Sequence, residues 1–309
     1  MAERLLISII TPTFNRATYL REAIESVLAQ DYPEFEHIIV DGGSTDDTLQ
    51  VLKQYSHLRW TSEPDDGMYD AINKGLRMAK GNVIGLLNSD DLYEPNVFGE
   101  VVHCFEENPD LEAVVGGAEV FRGPFPERQI VRTNLWIEPQ GQWLRLIEGA
   151  PVTNAWFFRR QVFERVGNFD VRYRYSADRE FLIRAALAGL HYQPIRRILY
   201  HYRQHEGSAT VHPEDGRSLQ RAQTRTRVLQ EALMLSEEFL NRHELPPGVR
   251  QHLVRFHDHR AYALAATALY HRKIGLAWQA IWAGLRFNLF WPWIFLFFLA
   301  CRLFGHQNS

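Results

Sequence analysis

The first hundred residues predict an α/β fold organised around a parallel sheet, and three features carry the prediction. Short apolar runs alternate with segments of helical periodicity, each run is followed by the next at βαβ spacing, and polar or acidic clusters close two of the runs. Leu6 to Ile10 is the first strand candidate. Ala17 to Gln30 places Leu20, Ala23, Ile24, Val27 and Leu28 on one helical face. His37 to Val40 is a second strand, followed by the turn-forming Asp41-Gly42-Gly43-Ser44-Thr45-Asp46-Asp47 and a helix to about Tyr55, with Ser44, Thr45 or Asp46 as its N-cap. Leu58 to Thr61 is a third strand, Tyr69 to Ala79 a helix, and Val83 to Leu87 a fourth strand running into Asn88-Ser89-Asp90-Asp91. In open α/β sheets ligands collect beyond the carboxyl ends of the strands, which is where these clusters fall. Further on, Ala113 to Phe121 reads as a strand, a segment containing Asp178 to Ala188 as a helix, and Gly216 to about Leu285 as mostly helical.

The bulk numbers fit one catalytic domain with an appended segment. The chain has 309 residues, 46% hydrophobic and 23% charged, which is ordinary globular composition. A formal net charge of -3 supplies no electrostatic reason to bind nucleic acid. Two cysteines, Cys104 and Cys301, are too few and too far apart for a disulfide framework or a cysteine metal site, which suits a reducing compartment. The run Leu5 to Ile10 is shorter than a secretion-signal core and ends at Thr11-Pro12, so it is expected to be a buried strand.

Two acidic groups at strand ends point to chemistry. A carboxylate pair such as Asp90-Asp91 at the exit of an apolar strand is costly unless something positive meets it, and Mg²⁺ or Mn²⁺ is an obvious partner, completing its oxygen shell from phosphates and water. Such an ion neutralises the charge that develops when a nucleoside diphosphate leaves. Asp41 is positioned to accept hydrogen bonds from a base or ribose, with Gly42 and Gly43 allowing close backbone approach; a plain turn with helix capping is the structural alternative. Neither G-x-G-x-x-G nor G-x-x-x-x-G-K-[ST] is present, which disfavours a dehydrogenase or a P-loop enzyme.

Thr11-Pro12-Thr13-Phe14-Asn15-Arg16, Val40-Asp41-Gly42-Gly43-Ser44-Thr45-Asp46, the segment Ser62 to Gly75 and Asn88-Ser89-Asp90-Asp91 together resemble the family 2 glycosyltransferases, which are inverting enzymes of GT-A fold. The match spans roughly residues 5 to 205, and Ser62 to Gly75 is most similar to bacterial members that build surface polysaccharides or glycolipids. The resemblance implies a Rossmann-like mixed sheet flanked by helices, a catalytic domain over residues 1–215 and transfer from a nucleotide-diphosphate donor, foremost a UDP-sugar, to a lipid-linked or cell-surface glycan. It implies that Pro12, Thr13 and Asn15 line the nucleotide pocket, Asp41 holds the base, Asn73 and Lys74 lie near the ribose and phosphates, and Asp90 binds the metal with Asp91 beside it. Asn88 stands where many relatives carry an aspartate, leaving one fewer negative charge; its amide oxygen, with Ser89 beside it, can still face a ribose or an ion-bound water.

An inverting transfer needs a general base to take the acceptor proton, and Asp178 in Ser176-Ala177-Asp178-Arg179-Glu180 matches the family's acidic motif, although Ala177 replaces the usual preceding Glu. Glu180 is the runner-up, pointing off the Asp178 face of the helix. His201 to Ser208 resembles the late motif near the donor phosphates, where Arg203 and His205 share one face of an extended chain. Acceptor contacts are expected from about Arg122 to Asn154, with Trp136, Trp143 and Trp156 as sugar-stacking faces.

The far end has a different character. Residues 216–309 read as a helical region in which about 274–303 is hydrophobic, with four of the chain's eight tryptophans between Trp278 and Trp293. The uninterrupted run from Phe287 to Cys301 is shorter than the roughly 20 residues a spanning helix wants and contains Pro292, so a peripheral or monotopic attachment is expected, on the cytoplasmic face of the inner membrane. Two competing readings stand beside glycosyl transfer: a nucleotidyltransferase, which would want a Gly-rich, Arg-containing N-terminal phosphate loop that the chain lacks, and a non-catalytic scaffold, kept open by Asn88 and Ala177.

Overall fold

A computed structural model describes residues 4–124, 127–149, 152–205, 207, 219–242, 244–288 and 291. The chain divides into two compact units, one of residues 1–146 and 150–214, the other of residues 147–149 and 215–309.

The first unit is α/β. Its first half follows the expected alternation: β1 (Ile7–Thr13), α1 (Ala17–Leu28), β2 (Phe35–Asp41), α2 (Thr48–Leu52), β3 (Arg59–Ser62), α3 (Met68–Met78) and β4 (Val83–Leu86). The second half comprises β5 (Leu92–Tyr93), α4 (Phe98–Glu107), β6 (Ala113–Arg122), β7 (Gln129–Asn134), β8 (Trp156–Arg159), α5 (Arg160–Val166), α6 (Ala177–Leu187) and β9 (Tyr192–Arg203). The sheet runs β3-β2-β1-β4-β8-β6-β9-β5, with β7 added beside β6. β3, β2, β1 and β4 are parallel, β8 is antiparallel to both β4 and β6, and β9 is parallel to β6, so the sheet is mixed.

Register sets the site. Thr13 pairs with Asp41 and Asp41 with Ser62, so the carboxyl ends of β1, β2 and β3 finish in one row. The strands are buried on both faces: Ile7, Ile9 and Val83 pack with Phe98, Val101 and Phe157 on one side, while Ile39 packs with Leu20, Ile24 and Leu52 on the other. Helix α3 lies close against β1 at Gly75, where an added Cβ would stand 2.4 Å from Ile10 Cγ2.

Several boundaries differ from the sequence reading for local reasons. Helix α2 begins at Thr48 after Asp47, later than the Ser44–Asp46 caps expected, but the Asp46 carboxylate still accepts the Thr48 N–H at 3.0 Å. The aromatic stretch before Phe158 contains strand β8, and the Pro- and Gly-containing stretch contains β7, neither of which shows a strand-like alternation in sequence. β7 is exposed along almost its whole length, so burial leaves no pattern on it.

The second unit is helical: α7 (Leu219–Leu240), α8 (Pro247–Tyr270) and α9 (Ile274–Phe287). Leu229, Leu233, Ala261, Leu264, Ala265, Ala280 and Trp291 form its core. Among the described residues no helix is long and apolar enough to cross a membrane. Most of the apolar run after Phe287, including Cys301, lies outside the described residues.

Candidate active site

The row of strand ends is laced together before any ligand is considered. Asp41 is fully buried, and its Oδ2 accepts from Ser62 Oγ at 2.6 Å, Ser44 N at 2.9 Å and Gly43 N at 3.2 Å, while the Ser44 hydroxyl also bonds Oδ1. Much of the carboxylate's accepting capacity therefore goes into fixing the loop after β2 and its link to β3. Asn15, at φ 50°, accepts from Thr45 N at 2.8 Å and donates its own N–H to Ser44 Oγ at 2.7 Å, which ties the loop after β1 to the loop after β2. Pro12 is buried in β1. Thr13 is buried beside it, and its hydroxyl has no hydrogen-bond partner among the described residues, which marks the strand-end row as a place for a polar ligand group.

A residue given no role in the sequence reading joins this row. Asp65 Oδ1 accepts from Gly67 N at 2.8 Å, and its Oδ2 lies where a Cβ on Gly42 would be, 2.6 Å from that position. Burial raises the Asp65 pKa, against the pull of the Gly67 N–H and Lys74. Lys74 reaches back to the same loop, 3.0 Å from Glu63 Oε1 and from the Pro64 carbonyl. Asn73 faces inward instead: its Nδ2 donates to the Phe169 carbonyl at 2.8 Å and its Oδ1 accepts the Phe169 N–H at 3.1 Å. Both of its polar groups hold the segment ahead of α6.

The acidic doublet after β4 separates into two tasks. Asp91 is fully buried; its Oδ2 accepts from Tyr200 Oη at 2.6 Å and Asn88 Nδ2 at 2.9 Å, and its Oδ1 accepts the Arg203 N–H at 2.7 Å. Burial and then the neighbouring Asp90 charge push its pKa well above the ordinary value. Asp91 therefore turns inward with both oxygens engaged, rather than standing beside Asp90 as a metal ligand. Asn88 is explained by this arrangement, because an aspartate there has no N–H to donate to Asp91. Ser89 is buried between them.

Asp90 is the partly exposed carboxylate of the pair. Its Oδ2 meets His205 Nε2 at 2.9 Å and Arg16 Nε at 3.4 Å. The Gly207 N–H donates to His205 Nδ1 at 3.1 Å, so the ring proton sits on Nε2 and points at Asp90. Arg16 also donates to the Gly207 carbonyl at 2.9 Å. Arg16 is thus a further site residue; a cation directly after a strand end was the available signal. Arg203 was expected at the phosphates, but its guanidinium is buried, 5.0 Å from the centre of the Tyr19 ring and 4.8 Å from that of Phe121. It bonds Glu22 at 2.7 Å and the Asp90 carbonyl at 3.0 Å, and so braces the doublet from beneath.

Asp178 lies in the first turn of α6. Burial raises its pKa; the Arg179 charge and N–H, a hydrogen bond from Tyr69 and the adjacent Thr153 offset this in part. A raised pKa is what a carboxylate needs to accept a proton near neutrality. Glu180 is buried and forked onto Arg184 at 2.7 and 2.8 Å, which removes it as a competing base. The turn Thr153–Ala155 connects the two acidic centres: Thr153 lies beside Asp178, and Asn154 Nδ2 donates to Tyr200 Oη at 2.8 Å, the same hydroxyl that bonds Asp91.

Of the tryptophans expected to stack on sugars, Trp156 is a core residue, buried and parallel to Phe158 at 5.5 Å. Trp136 and Trp143 are partly exposed. No group of three or more His, Cys, Asp or Glu stands together as a metal cage among the described residues. An outward carboxylate above a row of strand ends still suits Mg²⁺ or Mn²⁺, which bind through one or two carboxylates and take their other ligands from phosphate and water.

A mixed α/β sheet with acidic groups gathered at the carboxyl edge of its parallel half is a GT-A-like arrangement. The family model for Glycosyl transferase family 2 matches residues 8–167, and the chain belongs to that family. It is 32% identical over 192 residues to a PGL/p-HBAD biosynthesis glycosyltransferase of Mycobacterium bovis, covering 58% of this chain and 69% of that one. Among solved structures it is similar to S. aureus TarS 1-349 in complex with UDP-GlcNAc, at TM-score 0.53 and 17% identity over 89% of both chains. It is also similar to the mannosyltransferase PcManGT from Pyrobaculum calidifontis in complex with GDP-Man and Mn²⁺, at TM-score 0.57 and 18% identity over all of this chain and 89% of that one.

Proposed function

We propose that the protein is an inverting hexosyltransferase that moves a sugar from a UDP-sugar to a lipid-linked or cell-surface glycan on the cytoplasmic face of the inner membrane. The observation that carries this reading is the Thr153–Ala155 turn, which joins the raised-pKa carboxylate Asp178 to the Asp90-Asp91 doublet through Asn154 and Tyr200. In a single displacement the acceptor hydroxyl attacks the anomeric carbon, its proton passes to Asp178, and the bond to the nucleoside diphosphate breaks on the opposite face. The unpartnered Thr13 hydroxyl, the Asp65 carboxylate and the loop braced by Asp41 and Asn15 supply the nucleotide pocket.

Asp90 holds the divalent ion in this reading, with His205 and Arg16 orienting the carboxylate. Bound there, the ion would offset the charge that develops on the departing diphosphate. Arg16 adds a fixed cation beside Asp90. The glycosyltransferase relative and the neighbours that hold UDP-GlcNAc, or GDP-Man with Mn²⁺, support the donor and ion classes.

The test is a panel of nucleotide sugars incubated with the purified chain and Mn²⁺, with and without EDTA, monitored for nucleoside diphosphate release. Release from one UDP-sugar that EDTA suppresses supports the reading. Release of pyrophosphate from a nucleoside triphosphate and a sugar phosphate would instead mark a nucleotidyltransferase.

A further inference from the structure

Helix α9 is built the wrong way round for a helix packed on a soluble core. Its buried positions are Ala277, Ala280 and Gly284, all small, and an added Cβ on Gly284 would strike the Trp291 ring at 2.2 Å. Leu276 and Ile281 are partly buried against the core, but three large apolar side chains face out: Ile274 is 56% exposed, Trp278 58% and Trp282 68%. These three recur every fourth residue along α9 and so form one stripe. Folding in water normally buries the bulky members of such a helix and leaves small or polar ones outside. Three large apolar side chains in one exposed line mark an interaction surface.

Charge identifies the occupant. Asp258 is the last acidic residue of the chain: residues 259–309 contain no Asp or Glu, whereas Arg260, Arg272, Lys273, Arg286 and Arg302 fall among them. Of these, Arg272 and Lys273 are exposed at the start of the stripe and Arg286 at its end. Arg286 lies 3.1 Å from Glu237 of α7, leaving Arg272 and Lys273 as the cations with the greater freedom to meet an anionic surface. Tryptophan rings favour the headgroup region, where an apolar body and a polar N–H are both satisfied, and nearby Lys and Arg draw on anionic lipid. The stripe also runs directly into the apolar segment from Phe287 to Cys301.

We infer that the outward face of α9, Ile274, Trp278 and Trp282 preceded by Arg272 and Lys273, lies flat on an anionic phospholipid surface. This deepens the membrane part of the proposed function by naming the surface that makes the contact, and it is independent of the sugar chemistry. The helix is seated in the interface with its axis along the membrane plane, its rings reaching the acyl boundary and its cations at the headgroups.

Sedimentation of the full-length protein with vesicles tests this, comparing phosphatidylcholine alone with phosphatidylcholine containing one-third phosphatidylglycerol. The wild-type chain is expected to bind the anionic vesicles more tightly, with binding weakened by salt. The double variant Trp278→Gln/Trp282→Gln should lose about tenfold in partitioning, and Arg272→Gln/Lys273→Gln should lose the preference for anionic lipid. Both variants change exposed side chains, and unaltered circular dichroism and nucleoside diphosphate release show that they remain folded. Equal vesicle binding by wild type and the tryptophan variant overturns the assignment to α9 while leaving membrane attachment through the later apolar segment intact. Failure of the wild type to bind either vesicle overturns both. A wild-type dimer that the tryptophan variant converts to a monomer assigns the stripe to a second copy of the chain and overturns the lipid assignment.

Discussion

The hydroxyl of Tyr200 on β9 donates to Asp91 at 2.6 Å and accepts from Asn154 at 2.8 Å, so one phenol links the acidic doublet after β4 to the turn beside Asp178. Both the phenol and the carboxylate are fully buried, and burial pushes the pKa of each well up. Asp91 is affordable in this position only because three donors meet it. Tyr200→Phe removes one of them and is expected to cost about 1–3 kcal/mol of stability. Denaturant unfolding measures that cost, and sugar transfer should fall as well, because the turn beside Asp178 loses its tether.

Asn88→Asp, which restores the residue many family members carry, is predicted to destabilise this chain. The substitution removes the N–H that Asn88 gives Asp91 and places a second carboxylate against a buried one. The two carboxyls would have folded-state pKa values above their unfolded ones, so the stability they contribute is present at low pH and lost as pH rises through the raised values. Melting temperatures at pH 5 and pH 8 should therefore show a larger deficit at pH 8.

Asp178→Asn should reduce transfer by at least about a thousandfold while leaving nucleotide affinity within a fewfold of wild type. In the wild-type enzyme the ionised form is the active base, so turnover rises with pH through the raised pKa of Asp178. The acid limb of the kcat profile is expected above the ordinary aspartate value of about 4. A limb at or below that value would remove Asp178 from the role.

Asn73→Ala separates a structural from a ligand-binding role. Both polar groups of Asn73 are spent on the Phe169 backbone, so its loss is expected to lower stability by about 1–3 kcal/mol. Nucleotide affinity of the folded fraction, measured by calorimetry, should change little.

Much of the fold was legible because β1 to β4 and the intervening helices obey simple periodicities, and Leu20, Ile24 and Val27 are buried as their spacing requires. The later strands were not. β7 is exposed, β5 has two residues, and β8 reads as an aromatic cluster because Trp156, Phe157 and Phe158 are all buried on a strand covered on both faces. Within the site, strand-end positions pointed to Asp41 and Asp90, and the resemblance of its motif to Asp178, but not to the direction each side chain takes. Asp91 and Asn73 turn inward because long-range partners, Tyr200 and Phe169, meet them there, and no local pattern encodes such a contact. Arg16 and Asp65 were overlooked for the converse reason: each acquires its place only through a loop distant in sequence, at Gly207 and Gly42.

Calorimetric titration of UDP into the wild-type chain and Asp90→Asn, each with and without Mn²⁺, tests the central claim that the row of strand ends binds a nucleoside diphosphate through an ion held by Asp90. Mn²⁺ should tighten UDP binding at least about tenfold in the wild type and have little effect in the variant. UDP affinity that is indifferent to both the ion and the substitution would contradict the account.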